Sequence, residues 1–219
     1  TFFADMSSMP TFRFETPSGE STRVTMGATV GCEYNIATKG SISVPGGIDL
    51  SLRIPRFIFS AMKLFIDDDV NAFYVQLTTD RDVTLGVDTT TSEDFLACLE
   101  ATDLVITDSM TINLEANTDQ WYKVDLSALK ETNRDLSIKG VNSSSQPVDV
   151  VVEISTECPV VASVTKTETV PALFTATKVI TAEQIAKAFE KYPDLVYYVR
   201  VRTNGDLQAE IKPYVPETD

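Results

Sequence analysis

The amino-acid sequence predicts an all-β fold with mainly antiparallel strands. Threonine is abundant, with 27 residues, and often lies beside Val or Ile. Short stretches that alternate apolar and polar residues recur along the chain, with turn residues between them. β-branched side chains favour extended backbone, and period-two alternation is typical of half-buried strands. We therefore expect a β-sandwich of jelly-roll type, with a β-trefoil or β-prism as the alternative closures.

A tandem pattern divides the central part of the chain into units of about 40 to 48 residues. Three times, an apolar-x-apolar pair lies ten residues before a tyrosine, and those tyrosines are 40 and 48 residues apart (74 − 34 and 122 − 74). Each interval has room for about four short strands. The three matches are Val24–Met26 with Tyr34, Leu64–Ile66 with Tyr74, and Ile112–Leu114 with Tyr122.

Later strands in each unit follow the same order. An alternating stretch comes first, at Ser41–Val44, Asp82–Leu85 and Asp135–Ile138. After a polar loop, an apolar strand begins with an acidic residue, at Asp49–Ile54, Asp94–Leu99 and Asp149–Ile154. Residues 121–126, 134–138 and 150–154 also resemble the small β-sandwich modules appended to secreted peptidases and adhesins. That motif is too generic to imply a function.

The domain prediction follows from this pattern. Residues 1–19 are expected to form an N-terminal arm, and residues 20–158 a repeated β domain with units at about 20–60, 61–105 and 106–158. Residues 159–219 are expected to hold a connecting strand, one short helix and a hairpin. Thr181 and Gln184 have the spacing of a capping box, which predicts a helix over about 181–191. Asn204-Gly205 predicts the turn of the C-terminal hairpin.

The charge of the chain limits its partners. The formal net charge is −14 at pH 7 and the sequence pI is about 4.4. Nucleic acid and anionic membrane surfaces bind clustered Lys and Arg, so neither is expected as a partner. No apolar run approaches the length of a membrane span, so no membrane insertion is expected. The expected partners are proteins, including further copies of the chain, with glycans as another class.

Composition also argues against an enzyme. The chain contains no histidine, which excludes Ser-His-Asp and Cys-His catalysis and His-ligated zinc. It has no glycine-rich phosphate loop and no nucleophile elbow. A glycosidase with two carboxylates needs no histidine, but the acidic clusters lie in predicted turns or at strand starts, where carboxylates are usually solvated. We expect no catalytic residues and no bound cofactor.

Two sets of side chains are candidates for ligand binding. Calcium takes six to eight oxygen ligands, and loops carrying Asp67, Asp69, Asp80 and Asp82 would supply several of them. Trp121 is the only tryptophan, and an exposed indole would stack on a sugar ring. Burial in the core is the other interpretation of Trp121, because the equivalent residue of the preceding unit is the apolar Phe73.

The three cysteines, Cys32, Cys98 and Cys158, are interpreted as free thiols of a chain folded in a reducing cytoplasm. One disulfide plus one free thiol, in an exported protein, is the alternative. The first residues, Thr1 to Asp5, have no basic segment and no apolar signal core. Either nothing beyond an initiator Met was removed, or a leader has already been cleaved.

Together these observations predict a non-enzymatic structural subunit of a large ordered assembly. A phage or viral particle, or a surface appendage, is the expected assembly, with contacts through β-edges and loops. The expected location is therefore a virion or the cell surface. The alternative is a secreted adhesin or carbohydrate-binding β module.

Overall fold

The computed structural model describes residues 8–17, 19–30, 38–53, 73–91, 94, 96–191 and 196–214. The chain divides into two compact units. Unit 1 comprises residues 1–96 and 160–165, and unit 2 comprises residues 97–159 and 166–219. These bounds differ from the predicted division at residues 19 and 158.

Unit 1 is built from two antiparallel sheets. One sheet has the strand order β6-β1-β4-β12, and the other has the order β3-β2-β5. The strands are β1 (Ser8–Glu15), β2 (Thr22–Val30), β3 (Thr38–Val44), β4 (Asp49–Arg53), β5 (Phe73–Thr79), β6 (Thr84–Thr91) and β12 (Ala162–Val170), of which residues 162–165 belong to this unit.

The core of unit 1 lies between its two sheets. The sheet that contains β1 and β4 contributes buried Phe12, Phe14 and Leu50 to this core. The sheet that contains β2 and β3 contributes buried Val24 and Val44. Because successive residues of a strand point to opposite faces, the even-numbered residues of β1 and β4 face the core. This is a two-layer sandwich, as the alternation of the sequence predicts.

Unit 2 also has two sheets. One has the strand order β13-β10-β15-β8, and the other contains β11-β14-β9-β7 and the later part of β12. Among the strand pairs of the described residues, β7 and β9 run parallel. The strands are β7 (Thr102–Val105), β8 (Met110–Leu114), β9 (Gln120–Asp125), β10 (Asp135–Val141), β11 (Val148–Ser155), β13 (Thr175–Ile180), β14 (Val196–Thr203) and β15 (Leu207–Tyr214).

Two helices cover part of the core of unit 2. They are α1 (Ser127–Thr132) and α2 (Ala182–Lys191). Leu129 of α1 packs with Ile185 and Phe189 of α2. The capping box of α2 is present, because the Thr181 backbone N–H donates to Gln184 Oε1 at 2.9 Å and the Gln184 N–H donates to Thr181 Oγ1 at 3.2 Å. No helix among the described residues is long and apolar enough to cross a membrane.

The all-β, antiparallel class and the C-terminal helix are thus confirmed, while several elements differ from the prediction. Residues 8–15 of the predicted arm form β1, a strand inside a sheet that contributes Phe12 and Phe14 to the core. The strand predicted over Asp94–Leu99 is wrong, because Ala97–Glu100 forms a 3-10 turn around buried Cys98. Helix α1 was not predicted.

The predicted C-terminal hairpin is also different. Its two segments form β14 and β15, but β14 pairs with β11 and β9, whereas β15 pairs with β10 and β8. The Asn204-Gly205 turn therefore connects the two sheets. A side chain on Gly205 would lie 2.9 Å from Val148 Cγ2, so glycine is needed here for a close approach.

The strands of the predicted repeat do not take equivalent pairings in the described part of the chain. β2, which carries Val24–Met26, pairs with β3 and β5. β8, which carries Ile112–Leu114, pairs with β15, and the following β9 belongs to the other sheet of unit 2. Tyr34 and Leu64–Ile66 lie outside the described residues.

Candidate functional site

The strand β6 is the open edge of its sheet in unit 1. It pairs with β1 on one side and is the last strand in the sheet order among the described residues. Leu85 and Val87 of β6 are 46% and 38% exposed. Their register partners on β1 are Phe14 and Phe12, which are buried. Leu85 and Val87 therefore lie on the core-facing side of the sheet but remain open to solvent.

Two apolar rows run across this sheet and end at the edge. One row consists of Leu85, Phe14, Leu50 and Val164, paired across four strands, and the second consists of Val87, Phe12, Leu52 and Ala162. Burial of such rows stabilises a sandwich by about 25 cal/mol for each Å² of apolar surface removed from water. At β6 this burial is incomplete. A further strand beside β6 would cover both side chains and pair with the edge backbone groups of β6, which have no partner strand among the described residues.

The sequence of β6 offers little protection against such pairing. Natural edge strands are commonly blocked by lysine, proline or an inward-pointing charge. β6 has none of these, and its one charged residue, Asp88, is paired in register with Thr11 on the other face. By contrast, the edge strand β13 of unit 2 carries Lys178, paired in register with Ile138. Ile138 packs against the core, so Lys178 is at a core-facing position.

A second feature is the loop between β12 and β13. Leu173 and Phe174 are 75% and 55% exposed. Leu173 has a φ of 52°, a left-handed conformation that is uncommon for a bulky residue. The Leu173 N–H donates to the Ser144 carbonyl at 3.0 Å, and the Asn142 N–H donates to the Phe174 carbonyl at 3.0 Å. The loop is therefore an apolar tip on a fixed backbone.

Buried Asn142 holds the base of this loop. Its Nδ2 donates to the carbonyl oxygens of Gln146, Val170 and Pro171 at 2.8, 3.1 and 3.1 Å. Its Oδ1 accepts from the backbone N–H and the hydroxyl of Ser144 at 2.9 and 2.8 Å. A buried amide with all these bonds fixes the backbone on both sides of the loop.

Trp121 lies on the outer face of a sheet in unit 2. Glu153, Arg200 and Trp121 are direct register partners on β11, β14 and β9. Trp121 is partly exposed, and its role in ligand binding stays a prediction. The side chain of Phe73, its expected equivalent in the preceding unit, lies outside the described residues.

Arg200, the register partner of Trp121, is held by ion pairs. Arg200 Nη2 lies 2.5 Å from Oε2 of buried Glu153, and Arg200 Nη1 lies 3.5 Å from Asp119 Oδ2. Arg202 Nε lies 3.8 Å from Asp119 Oδ1. The Arg200 guanidinium carbon is 5.8 Å from the centroid of the Trp121 ring, within the range of a cation–π interaction. An aromatic face beside fixed donors and acceptors suits the hydroxyl groups of a sugar.

The calcium prediction concerns four aspartates. Asp67 and Asp69 lie outside the described residues, so the proposed site stays a prediction. Asp80 Oδ1 accepts from the Arg23 backbone N–H at 2.8 Å, which fixes the turn after β5, and Asp82 is exposed. Within the described ranges, no group of three acidic or cysteine side chains is arranged to hold a metal ion.

The cysteines differ from the free-thiol interpretation. Cys98 and Cys158 form a disulfide, with their Cα atoms 6.0 Å apart. Free thiols are therefore wrong for these two residues, and the alternative of one disulfide describes them. Spacing did not reveal this pair, because 60 residues separate the two cysteines and only the fold brings them together. Cys32 lies outside the described residues.

The pKa values of two aspartates shift in opposite directions. Burial, with the negative charge of Glu15, raises the pKa of Asp49 in unit 1, although Arg13 partly offsets this. Hydrogen bonds from Ser127 lower the pKa of Asp125 in unit 2. The Ser127 backbone N–H donates to Asp125 Oδ1 at 2.9 Å at the start of α1.

Several residues of these surfaces were missed by sequence reasoning. Leu85 was placed in a strand, but its position at an open edge depends on pairing partners distant in sequence. Arg200 and Glu153 were also missed, although the alternation in Val196–Thr203 and Val148–Ser155 indicates which residues of these strands share a face.

In comparisons with known proteins, the chain matches no protein family and no curated protein sequence.

Proposed function

We propose that this protein is a non-enzymatic structural subunit of an ordered assembly, such as a virus or phage particle or a surface appendage. The observation that carries the proposal is the open edge β6, where two apolar rows of unit 1 end at half-exposed Leu85 and Val87. An uncovered apolar edge favours association, because a neighbouring strand removes that surface from water and satisfies the backbone groups of the edge.

The loop at Leu173 and Phe174 supports a second contact. Its apolar side chains are exposed on a backbone that is already fixed by Asn142 and Ser144. A preorganised loop loses little conformational entropy on binding. Assembly subunits need at least two contact surfaces to extend beyond a pair, and β6 and this loop are the two that we propose.

The Cys98–Cys158 disulfide bears on location. Disulfides form and persist in oxidising compartments and on the surfaces of cells and virions. It supports an assembly displayed outside the cell, and it weakens the argument for a chain that functions in a reducing cytoplasm. We propose a cell-surface or virion location on this ground.

The assembly proposal is tested by the size of the native particle. Size-exclusion chromatography with light scattering, followed by negative-stain microscopy of the same fraction, gives mass and shape together. We expect regular particles larger than the 24.1 kDa chain. A monomer at every micromolar concentration would contradict the proposal.

A paired set of variants identifies the surface. Leu85→Lys places a charge in the apolar edge and should reduce the particle mass. Ser21→Lys adds the same charge at an exposed position of unit 1 outside its strands and should leave assembly intact. Equal loss in both variants would indicate a general charge effect instead of an edge contact.

The second candidate function is carbohydrate binding by a secreted or surface-displayed module. The adjacent Arg200 and Trp121, with the indole partly exposed and the guanidinium held by buried Glu153, favour it. Trp121 is the only tryptophan, so its fluorescence reports this surface alone. A saturable change in emission with neutral oligosaccharides, lost in Asp119→Asn, would support binding. Unchanged emission with millimolar cellohexaose, mannohexaose and maltohexaose would count against it.

A further inference from the structure

The residues of β6 have a self-complementary order about Gly86. The strand begins Thr84-Leu85-Gly86-Val87-Asp88. An apolar residue flanks the glycine on each side, and the one charged residue lies at one end of this segment, opposite a threonine at the other. Two antiparallel copies of such a segment match each other about a two-fold axis.

We propose that β6 pairs antiparallel with β6 of a second copy of this chain, about a two-fold axis at Gly86. The sheet β6-β1-β4-β12 then continues into the same sheet of the partner. This inference rests on the proposed assembly function and names the partner of its main contact. The pairing also gives hydrogen-bond partners to backbone groups that β1 leaves unpaired.

The register follows from the side chains. With Gly86 opposite Gly86 of the partner subunit, Leu85 lies opposite the partner's Val87, and Val87 lies opposite the partner's Leu85. Both pairs are on the core-facing side, because Leu85 and Val87 are in register with buried Phe14 and Phe12. Directly opposed side chains in antiparallel strands are about 4.5 to 5.5 Å apart at Cβ, so the half-exposed residues cover each other.

Strand overlap and apolar contact distinguish this register from its neighbours. A two-fold axis at Leu85 would pair only residues 84–86 of the two strands, because β6 begins at Thr84, and would leave Val87 opposite no residue of the partner's β6. An axis at Val87 would place Leu85 opposite the partner's Thr89 and leave its apolar surface without an apolar partner. The axis at Gly86 places Asp88 opposite the partner's Thr84 and avoids both faults.

The outer face of the sheet accommodates this axis. A side chain at position 86 would point to that face, where the nearest atom is Arg13 Cβ at 3.7 Å. Gly86 therefore leaves a narrow, flat strip at the axis, and no side chain of the residue itself obstructs the partner strand.

Net charge gives the pairing a recognisable salt dependence. Each copy carries a formal charge of −14, so two copies repel each other at low ionic strength. Salt screens this repulsion and strengthens apolar contact, so dimerisation should strengthen as salt rises. A partner recognised by opposite charge would give the reverse dependence.

The first test uses oppositely charged variants at the predicted contact. Sedimentation velocity would be measured on the wild-type chain, on Leu85→Lys, on Val87→Glu and on an equimolar mixture of the two variants. Each variant alone should dimerise at least about tenfold more weakly, because a charge is placed against apolar surface. The mixture should regain dimer, because the new lysine of one variant then lies opposite the new glutamate of the other. Circular dichroism of each variant confirms the fold.

The second test fixes the register in a Cys32→Ser background. Gly86→Cys should give a disulfide-linked dimer under mild oxidation, because residue 86 lies opposite itself. Thr84→Cys alone should not crosslink, whereas its mixture with Asp88→Cys should. Crosslinking of Thr84→Cys alone, without crosslinking of Gly86→Cys, would overturn the proposed register.

The outcomes separate this inference from the proposed function. Regular particles that persist unchanged in Leu85→Lys and Val87→Glu would overturn the β6 pairing and leave an assembly role standing through another surface. A dimer that follows the variants as predicted, without any larger particle, would support the pairing and count against a large assembly. A monomer at all concentrations and salts would overturn both.

Discussion

Units 1 and 2 are both two-layer sandwiches, but one edge strand of each, β6 and β13, has different residues on its core-facing side. In unit 2, the edge strand β13 has Lys178 at a core-facing position, in register with Ile138. In unit 1, the edge strand β6 has Leu85 and Val87 at core-facing positions, in register with Phe14 and Phe12. An inward-pointing lysine prevents further pairing, while an apolar pair favours it. The core-facing residues of an edge strand thus decide whether that edge is open to a partner strand.

The units differ in internal links as well. Unit 2 has the Cys98–Cys158 disulfide, two helices over its core and a buried asparagine that ties three carbonyl groups. The described part of unit 1 has one apolar core between two sheets and the buried hydrogen bond from Arg53 Nη1 to Ser163 Oγ at 3.1 Å. Four measurements test what packing contributes to unit 1 and what these specific bonds contribute to unit 2.

The largest loss of stability is expected from a substitution in the apolar row of unit 1 that contains Leu85 and Phe14. Phe14→Ala should lower the free energy of unfolding by about 4 kcal/mol, because it removes a buried aromatic ring and leaves a cavity. Leu85→Ala, in the same row but half exposed in the single chain, should cost about 1 kcal/mol at protein concentrations too low for β6 to pair with a second copy. Denaturant unfolding, with hydrogen exchange to assign the affected unit, gives both values. Similar costs for the two variants would mean that β6 is covered in solution.

Removal of the disulfide should cause the next largest loss of stability, and only unit 2 should lose it. Cys158→Ser should destabilise this unit by about 3 kcal/mol, because the bond closes a loop of 60 residues and restricts the unfolded chain. Trp121 fluorescence during denaturation reports unit 2, because no other tryptophan is present. The wild-type chain in reductant should match the variant. An unchanged midpoint in both would contradict the prediction.

A substitution of Asn142 tests how much its buried hydrogen bonds stabilise unit 2. Asn142→Asp keeps the shape but replaces the amide donor that serves three carbonyl groups, so unit 2 should lose about 2 kcal/mol. The matched control is Asn113→Asp, whose side chain is exposed and accepts one bond from Gln208. Protection of residues near Leu173 from hydrogen exchange should fall only in the first variant. Equal losses of stability in the two variants would mean that the buried hydrogen bonds of Asn142 make no specific contribution.

The smallest effect is a dependence on pH with opposite signs in the two units. The lowered pKa of Asp125 gives unit 2 stability that is present above the ordinary value of 3.8 and is lost as the pH falls through the folded pKa. The raised pKa of Asp49 gives unit 1 stability that is present below 3.8 and is lost as the pH rises through the folded pKa.

Each of these effects should stay below about 1 kcal/mol, because both carboxyl groups are partly solvated. Hydrogen exchange by unit between neutral pH and pH 3 measures them. Asp125→Asn should flatten the dependence in unit 2, and Asp49→Asn should flatten it in unit 1. If the stability of both units changed with pH in the same direction, the opposite pKa shifts of Asp125 and Asp49 would be contradicted.

The sequence predicted the local elements better than their pairings. Alternation located β3, β10 and β11, and the capping box located α2, because these signals are local. Asn204-Gly205 marked a turn, but close approach to Val148 uses this glycine to connect two sheets instead of two paired strands. Ala97–Glu100 was mistaken for a strand, since a short apolar run does not distinguish a strand from a helical turn.

The candidate surfaces were harder to predict for the same reason. Trp121 was identified by its uniqueness, but its neighbours Arg200 and Glu153 come from strands that are distant in sequence. The edge position of Leu85 and Val87 depends on which strand lies beside β6. The neighbours of a side chain in a sheet depend on which distant strands pair, and the alternation of apolar and polar residues does not specify that pairing.

The division of β12 between the two units affects the order in which the chain matures on the ribosome. Unit 1 needs residues 160–165 beside β4, although its other strands end at Thr91. Synthesis from the amino terminus therefore produces most of unit 1 early, yet β4 has only β1 as a partner strand until Thr165 has emerged from the exit tunnel. During that interval the nascent chain exposes β4 as a further unpaired edge, which a chaperone or a neighbouring nascent chain is able to reach.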